Sequence, residues 1–425
     1  MTGKIPLARV SRARQFPKWS QIREVVQFKK PTFGLTARRL ENALTIEHLR
    51  RAARRTTPRS VFDYVDGAAE EEITAARNIA AYRRVTLRPD ALHPVAEPEL
   101  GVDLFGKRIA MPLVFAPTGY TRMMHHHGEA AVARVAEHFG VPYSLSTVGT
   151  TSIEDVRAAA PGGDLWFQLY RTNDPATNEL LVSRAEAAGY STMLLTVDTS
   201  VAGKRLKDVV NGLTIPPTLT ARTILNISMF PAWWYNKLTT PGIGFASLSG
   251  VEGNLSSEDV ARTLFDPGLD FAALEWLRER WPGKLLVKGI TTPESAREVV
   301  RRGADGVVVS NHGGRQLDRS AATLDVLPAV RAAVGAEATV IIDGGIRHGQ
   351  DIVAARALGA DAAMVGRAYL YGIMAGGQDG AVRAYEILAD EYQRCMQLLG
   401  VRRSEDLGER HVALPRAWSA EFPGT

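Results

Sequence analysis

The sequence has 425 residues, of which 45% are hydrophobic and 23% charged, a balance typical of a globular protein with a large core. Its single cysteine, Cys395, excludes a disulfide framework and a metal site built from several cysteines, which fits a reducing compartment. No N-terminal signal peptide and no run of ~20 apolar residues is present, so we expect a cytoplasmic protein or one bound peripherally at the inner face of the cell membrane.

The net charge of +5 is concentrated near the N-terminus. Residues 1–40 contain ten lysines and arginines but a single acid, Glu24, whereas the rest of the chain is slightly acidic. We therefore predict a basic N-terminal arm over residues 1–45. Such an arm suits contact with anionic lipid or nucleic acid, and it equally suits a solvated tail.

From about residue 110, short apolar runs rich in β-branched residues alternate with stretches of helical periodicity. The eight apolar runs are 111–119, 142–149, 165–170, 191–199, 285–289, 306–314, 339–345 and 362–368. The helix candidates include 127–139, 174–188, 293–302, 323–334, 348–358 and a long one over 378–399. Because strands buried on both faces read as continuous apolar runs, this alternation predicts an α/β fold with a single closed (β/α)8 TIM barrel. The alternative is a doubly wound open sheet, whose two commonest glycine-rich motifs are absent.

Two segments fall outside this alternation. Residues 46–80 predict an N-terminal helical extension, in which one helix ends at Gly67 and the next opens in acidic residues. Residues 200–269 form a long insertion after strand four, and a connection of this length is usually a lid or a binding element. We place the catalytic barrel domain at 46–412 and a C-terminal tail at 413–425.

The insertion also groups Met229, Phe230, Trp233, Trp234 and Tyr235 around Pro231. Aromatic side chains of this kind favour the membrane interface, so residues 225–240, together with the basic arm, predict a peripheral membrane contact. The alternative is that these aromatics pack down as a lid or in a subunit contact.

Every predicted strand ends in polar residues, and in a TIM barrel the carboxyl ends of the strands carry the chemistry. A buried polar group without a partner costs free energy, so eight such ends in register predict a ring of groups around a large polar ligand. The residues are Thr118, Ser146, Gln168, Tyr170, Thr196, Asp198, Lys288, His312, Arg315, Asp343, Arg347, Gly366 and Arg367.

The last two strand ends predict a phosphate site. Their glycine amides and helix N-termini favour an anion, and burial of Arg347 and Arg367 without one would be expensive. The sixth end, in "SNHGGRQLD", predicts a catalytic base. His312 can accept a proton near neutral pH, Arg315 can hold a carboxylate, and Asp198 can stabilise the protonated imidazole.

A run of three histidines, His125 to His127, suggests a metal at first sight. Three adjacent histidines should not share one face, so we interpret this run as a loop leading into a helix and expect no metal ion.

These residues lie in motifs that resemble the FMN-dependent 2-hydroxy-acid dehydrogenase/oxidase family, and in particular its bacterial quinone-linked L-lactate dehydrogenases. The resemblance covers about residues 45–412. Its motifs are "FDYVDGAAEEE", "APTGYTRMMHHHGE", "SLSTVGT", "FQLY", "LTVDT", "LLVKGI", "SNHGGRQLD", "DGGIRHG" and "GRAYLYG".

The resemblance implies oxidation of an L-2-hydroxy acid, above all L-lactate to pyruvate, with electrons passed through FMN to quinone, in a homotetramer that binds no nucleic acid. It assigns proton abstraction to His312 with Asp198 as its acidic partner, and the substrate hydroxyl to Tyr170. The substrate carboxylate falls to Tyr64, Arg205 and Arg315. The FMN contacts implied are Pro117, Thr118, Gly119, Ser146, Gln168, Thr196, Lys288, Asp343, Gly344, Gly345, Arg347, Gly366 and Arg367. Lys288 matches the lysine beside flavin N1 and O2, where a cation stabilises the reduced ring.

Some positions depart from the family pattern and leave substrate and acceptor open. Val148 and Ala202 replace larger residues beside the substrate, and Gly119 stands where the oxidases usually have alanine, a glycine that in the family goes with poor use of oxygen or with the monooxygenase subtype. The alternatives are therefore a hydroxy-acid oxidase, a lactate 2-monooxygenase, and an enzyme for mandelate-like or amine- or peptide-derived substrates. From another class, a non-catalytic barrel with a nucleic-acid-binding arm would be colourless when purified.

Overall fold

The computed structural model describes residues 16, 18–26, 32–212, 220–248 and 266–414. Much of the predicted basic arm, part of the insertion and residues 415–425 of the C-terminal tail lie outside these ranges. The boundaries proposed at residues 45 and 412 stay predictions.

Eight parallel strands close into a barrel in chain order, with the last strand paired to the first, so the predicted TIM barrel is confirmed. The barrel strands are Leu113–Phe115, Tyr143–Ser146, Leu165–Leu169, Thr192–Thr196, Lys284–Ile290, Gly306–Val309, Thr339–Ile342 and Ala362–Val365. Most are shorter at their carboxyl ends than the predicted runs, because the polar residues that follow turn out of the ladder. Those residues form one rim of the barrel.

Helices surround the barrel. The helices that follow the strands are Gly128–Phe139, Ile153–Ala159, Pro175–Ala187, Phe271–Arg280, Pro293–Arg301, Thr323–Val334, Gly349–Ala357 and Arg367–Leu399. The predicted basic arm contains the helices Trp19–Val25 and Leu35–Glu41, and the N-terminal extension contributes Ile46–Thr56, Arg59–Asp66 and Ile73–Arg84. Thr121–Met124, Leu206–Val210, Ala221–Ser228 and Pro231–Leu238 lie in loops above the barrel strands.

The barrel interior is filled and closed at its amino end. Large apolar side chains from successive strands, including Trp166 and Met364, cluster with a hairpin formed by Val102–Leu104 and Lys107–Ile109. The Phe105 ring at the hairpin turn lies 5.9 Å from the Trp166 ring. The larger cavity among the described residues, of about 700 Å³, lies at the opposite end, at the carboxyl ends of the strands, whereas a smaller pocket of about 290 Å³ lies beside the hairpin.

The N-terminal helices differ in one detail from the prediction. The helix Arg59–Asp66 does end before Gly67, but the next helix begins at Ile73, after the acids rather than with them. Glu70 and Glu72 have φ values of 45° and 64°, so the backbone makes a turn that an α-helix cannot contain. Asp318, from the loop after strand six, accepts hydrogen bonds from the amides of Glu71 and Thr74 and fixes this turn.

The last helix also starts earlier than predicted, at Arg367 instead of 378. Gly376 and Gly377 break its helical geometry, with φ values of −165° and 62°. The break separates the segment at the eighth strand end from the long outer segment that the periodicity predicted. In the described part of the chain, no helix combines the length and apolarity that crossing a bilayer requires.

Candidate active site

A cavity of about 700 Å³ lies at the carboxyl ends of the strands and gathers most of the predicted site residues. Sixteen of them line it directly: Tyr64, Pro117, Thr118, Gly119, Ser146, Tyr170, Arg205, Lys288, His312, Arg315, Asp343, Gly344, Gly345, Arg347, Gly366 and Arg367. The other three, Gln168, Thr196 and Asp198, are not among its lining residues, although each is at a strand end. Gln168 and Asp198 are bonded to residues that do line it.

His312 is held between an acid and a phenol. Its Nδ1 lies 3.1 Å and 3.2 Å from the two carboxylate oxygens of Asp198, and its Nε2 lies 3.4 Å from the hydroxyl of Tyr170. The residue has a left-handed backbone with a φ of 57°, and its amide donates to Ser310 Oγ. This conformation directs Nε2 toward the cavity, while Nδ1 stays on Asp198.

The protonation states suit a base that is neutral at rest. Burial, aided by the charge of Lys288, lowers the pKa of His312 below its ordinary value, although Asp198 opposes the shift. Burial alone would raise the pKa of Asp198, but His312 and Lys288 together hold it below its ordinary value. Asp198 therefore stays ionised and can stabilise the imidazolium that forms when His312 takes a proton.

Two guanidinium groups flank Tyr64. The Cζ of Arg315 lies 5.0 Å from the Tyr64 ring centre and that of Arg205 lies 5.7 Å from it. Arg315 donates to the carbonyls of Tyr64 and Gly67, at 2.6 Å and 3.1 Å. Burial, followed by repulsion from Arg205, lowers the pKa of Arg315 to about 10, so it remains charged at neutral pH. The pair places two positive charges on the cavity wall beside Tyr64, a surrounding that favours an anion.

Lys288 is a buried cation on the floor of the cavity, with 4% of its surface exposed. Its Nζ lies 3.1 Å from Ser310 Oγ and 3.4 Å from Asp343 Oδ2, and Ser310 donates to that same oxygen. The carboxylate compensates the lysine, so the ammonium charge can be kept at a site closed to water.

Three buried polar atoms around this floor have no hydrogen-bond partner within the described residues: Gln168 Nε2, Thr196 Oγ1 and Asp343 Oδ1. The other amide atom of Gln168, its Oε1, accepts from Ser146 at 2.8 Å. Unpaired buried donors and acceptors are costly, so their concentration here indicates a ligand with its own donors and acceptors. The edge of a polar heterocycle satisfies this requirement.

The two arginines of the predicted phosphate site differ in their bonding. Arg367 donates to the carbonyls of Val65, Gly67 and Gly313, at 2.7–2.8 Å. Its burial is therefore compensated by the protein and does not require an anion, contrary to the argument from sequence. Arg347 makes one side-chain hydrogen bond, to the carbonyl of its neighbour Ile346, and lines the same end of the cavity.

The glycines beside Arg347 are required by space as well as by backbone angle. Gly344 and Gly345 have φ values of 92° and 89°, and a Cβ on Gly345 would lie 2.5 Å from the carbonyl oxygen of Asn78. The Asn78 side chain exchanges two hydrogen bonds with that of Asn311, at 2.8 Å and 2.9 Å. The N-terminal extension thus supports both the phosphate end and the strand that precedes His312.

Several lining residues were missed by the sequence argument. Tyr120 and Phe245, whose ring centres are 4.9 Å apart, form an aromatic wall together with Met123. Asp208 is a buried acid within the same cavity. The only sequence signal that Phe245 lines the cavity was its place in the long insertion. Asp208 follows Arg205 by three residues, a spacing that brings side chains together on a helical turn.

The three consecutive histidines lie in a loop before helix Gly128–Phe139, as expected, but the reason given for excluding a shared face was wrong. The nitrogens of His125, His126 and His127 all lie within 4.8 Å of one another. Burial lowers the pKa of each imidazole, and the nearby cations Lys237 and Arg122 lower that of His126 further. The expectation that these histidines hold no metal ion stays a prediction.

Comparison with known proteins places this geometry in a family. The family described as FMN-dependent dehydrogenase matches residues 53–414. A putative L-lactate dehydrogenase of Mycobacterium tuberculosis is 48% identical over 399 residues, which cover 94% of this chain and 96% of the relative. The L-lactate dehydrogenase of Caulobacter vibrioides is 40% identical and covers 87% of this chain and 97% of the relative.

Solved structures give the same result. The monotopic membrane protein (S)-mandelate dehydrogenase superposes with a TM-score of 0.84 at 35% identity, covering 88% of this chain and 100% of that one. A mandelate oxidase variant with (S)-mandelic acid gives a TM-score of 0.74 at 34% identity, with 88% and 98% coverage. The cofactor of this enzyme is therefore FMN, whose ring system carries the polar edge that the unpaired atoms of the cavity floor require. The chain belongs to the FMN-dependent dehydrogenase family that acts on 2-hydroxy acids.

Proposed function

We propose that the enzyme oxidises L-lactate to pyruvate and passes the electrons to a membrane quinone. The observation that carries the reaction type is the arrangement of His312, with its acid, beside the paired guanidinium groups of Arg205 and Arg315. A carboxylate held by these arginines brings the α-carbon of a small acid next to the imidazole.

The chain's own groups perform the proton chemistry in this proposal. Arg315, Arg205 and the hydroxyl of Tyr64 hold the substrate carboxylate, and Tyr170 binds the substrate hydroxyl. His312 accepts the proton that leaves the substrate, and Asp198 stabilises the resulting imidazolium. FMN, when bound, accepts the two electrons that leave the α-carbon.

The cofactor site is proposed from the same cavity. Lys288 and Gln168 would hold the polar edge of the ring system, with Ser146 and Thr196 beside them. Arg347, with the amides of Gly345 and Gly366, would hold the phosphate. Arg367 would contribute charge while it joins the loops around this end of the cavity.

Two observations bear on the substrate. Of the two relatives compared by sequence above, one is named a putative L-lactate dehydrogenase and the other an L-lactate dehydrogenase, which supports lactate. The wall formed by Tyr120 and Phe245 would also accept an aromatic substituent, and the two solved relatives reported above are an (S)-mandelate dehydrogenase and a mandelate oxidase variant. Mandelate is therefore the second candidate substrate.

The acceptor and location are proposed from the insertion. Helices Ala221–Ser228 and Pro231–Leu238 expose six large apolar side chains, the apolar patch: Ile224, Leu225, Met229, Trp234, Tyr235 and Leu238. The first three, Tyr235 and Leu238 are more than half exposed. Exposed apolar and aromatic groups on adjacent short helices suit insertion into the interfacial region of a bilayer, where a quinone is reached.

The sequence prediction for this segment needs one correction. Trp233 faces the body of the protein and is not part of the apolar patch, because its indole N–H donates to the carbonyl of Met123 at 2.9 Å. Lys237 lies over the Trp233 ring at 5.7 Å. Trp233 therefore attaches the helix to the loop after strand one. The homotetramer implied by the resemblance stays a prediction.

We expect L-lactate to bleach the flavin of the wild-type enzyme under anaerobic conditions faster than (S)-mandelate or other 2-hydroxy acids. His312→Gln should retain FMN but reduce it ~10²–10⁴-fold more slowly, because a positioned base is lost. Stopped-flow absorbance measures both rates. Reduction of the variant at nearly the wild-type rate would contradict the role of His312, and preference for mandelate would establish the second candidate.

The pH dependence of flavin reduction follows from the lowered pKa of His312. The base must be neutral, so we expect the rate to stay constant as the pH falls from 8 and to decline only below about 6.5. Asp198→Asn should slow reduction and move the decline to still lower pH, because the group that favours the imidazolium is gone. In the wild type, an inflection above pH 7 caused by titration of His312 would contradict the assignment of His312 as the base.

Arg347→Met should weaken FMN binding by at least tenfold, with little effect on the thermal stability of the apoprotein. Arg367→Met should lower that stability as well, because it removes the donor of the Val65 and Gly313 carbonyls and one of the two donors of the Gly67 carbonyl. Fluorescence titration of the apoprotein with FMN and a thermal melt separate the two effects. Equal loss of apoprotein stability in both variants would assign Arg347 a structural role.

Membrane contact is tested with vesicles of anionic phospholipid containing a quinone. We expect binding of the wild type and a loss of at least about tenfold in affinity for Tyr235→Ser/Leu238→Ser, while anaerobic reduction by lactate is retained. Leu92→Ser/Leu398→Ser removes two exposed leucines elsewhere and serves as the matched control. Equal vesicle binding by both double variants, or reoxidation by oxygen at the rate obtained with quinone, would contradict this part of the proposal.

A further inference from the structure

Asp208 is a buried carboxylate that the proposed reaction does not use. It lies in the short helix Leu206–Val210 of the insertion, lines the active-site cavity and is 8% exposed. Its Oδ2 lies 2.9 Å from Nε of Arg205, yet this oxygen has no hydrogen-bond partner within the described residues. The contact is therefore an ion pair rather than a well-directed hydrogen bond.

The surroundings of Asp208 act on its pKa in opposite directions. Burial raises its pKa above the ordinary value, and the carboxylate of Asp63 acts in the same direction, whereas Arg205 and Arg315 oppose the shift. The same two arginines form the anion site beside Tyr64. The charge of Asp208 therefore interacts with both arginines that would bind the substrate.

The formal charges of Arg205, Arg315 and Asp208 together determine which anions this part of the cavity would accept. Two arginines and one carboxylate leave a single net positive charge, which one substrate carboxylate neutralises. A second carboxylate would bring an unbalanced negative charge into a buried site that already contains Asp208. Without Asp208 the arginines would carry two positive charges and would match a dianion.

We propose that Asp208 is a specificity-determining and positioning residue, which acts as the counter-ion of Arg205 and restricts the site to acids with one carboxylate. This inference rests on the proposed function, since it concerns the 2-hydroxy acid that the site accepts. It assigns the substrate class as monocarboxylates and disfavours 2-hydroxy diacids.

Asp63 provides a matched control. It is close enough to influence Asp208, but its Oδ2 accepts from Asn211 at 2.8 Å and from Arg59 at 3.2 Å, and it does not line the cavity. Asp63→Asn therefore removes the same charge from the same region without changing the group that faces Arg205.

The experiment uses pyruvate and oxalate as probes, because they have the same number of non-hydrogen atoms and differ by one charge at pH 7. Isothermal titration calorimetry of the FMN-loaded enzyme gives the two dissociation constants. We expect Asp208→Asn to raise the preference for oxalate over pyruvate by about tenfold or more, since the second carboxylate no longer meets a like charge. Asp63→Asn should change this ratio less than about twofold, and Asp208→Glu should restore it to near the wild-type value.

The proposal would be overturned if Asp208→Asn left the ratio of the two dissociation constants unchanged, which includes an equal change in both constants. A purely structural role of Asp208 would not distinguish the charges of the two anions. If Asp208→Asn does not retain FMN, Asp208→Ser takes its place with the same expectations. The calorimetric ratio does not require turnover. An enzyme that shows the ratio but is reduced by no 2-hydroxy acid would contradict the proposed function alone, and an enzyme reduced by lactate without the ratio would contradict this inference alone.

Discussion

The active site depends on the pairing of charges around one cavity. Lys288 is balanced by Asp343 and Arg205 by Asp208, Arg315 is held by two carbonyls, and the ionised Asp198 lies beside the neutral His312. A buried charge without such compensation would be neutralised or expelled, so these pairs fix where each side chain lies. Among the described residues Arg315 has no ion pair with a carboxylate, and the anionic substrate of the proposal would bind there, beside the histidine.

The barrel explains why these groups meet although they are far apart in sequence. The interior is filled from strand to strand and the hairpin covers its amino end, so polar residues are tolerated only at the opposite rim. The N-terminal extension then closes the side of that rim. Tyr64 and Gly67 supply the carbonyls for Arg315, and Asn78 pairs with Asn311 next to His312.

Much of this arrangement could be predicted from the sequence. Alternation of apolar runs and helical periodicity gave the barrel, and its polar strand ends gave residues such as Lys288 and His312, because a closed parallel sheet brings its strand ends together. The turn at Glu70–Glu72 and the early start of the last helix were missed, since each depends on a tertiary contact or on a break at glycines. Phe245 lies in an insertion without strand periodicity, so nothing in the local pattern indicated that it lines the cavity, and the only local signal for Asp208 was its spacing of three residues from Arg205. Arg367 shows a different limit: its position was predicted, but its carbonyl partners come from segments distant in the chain.

The hairpin at the amino end of the barrel has a consequence for the order of events during turnover. With that end closed by Phe105 against Trp166, the cavity communicates with its surroundings on the side that carries the insertion. In the proposed function, the hydroxy acid and the electron acceptor would then enter on this same side. An oxidised product would leave before an acceptor approaches, and the catalytic cycle would divide into two half-reactions that occupy the same space in turn. Steady-state rates would show the parallel lines of a ping-pong scheme, and each reactant at high concentration would compete with the other for entry.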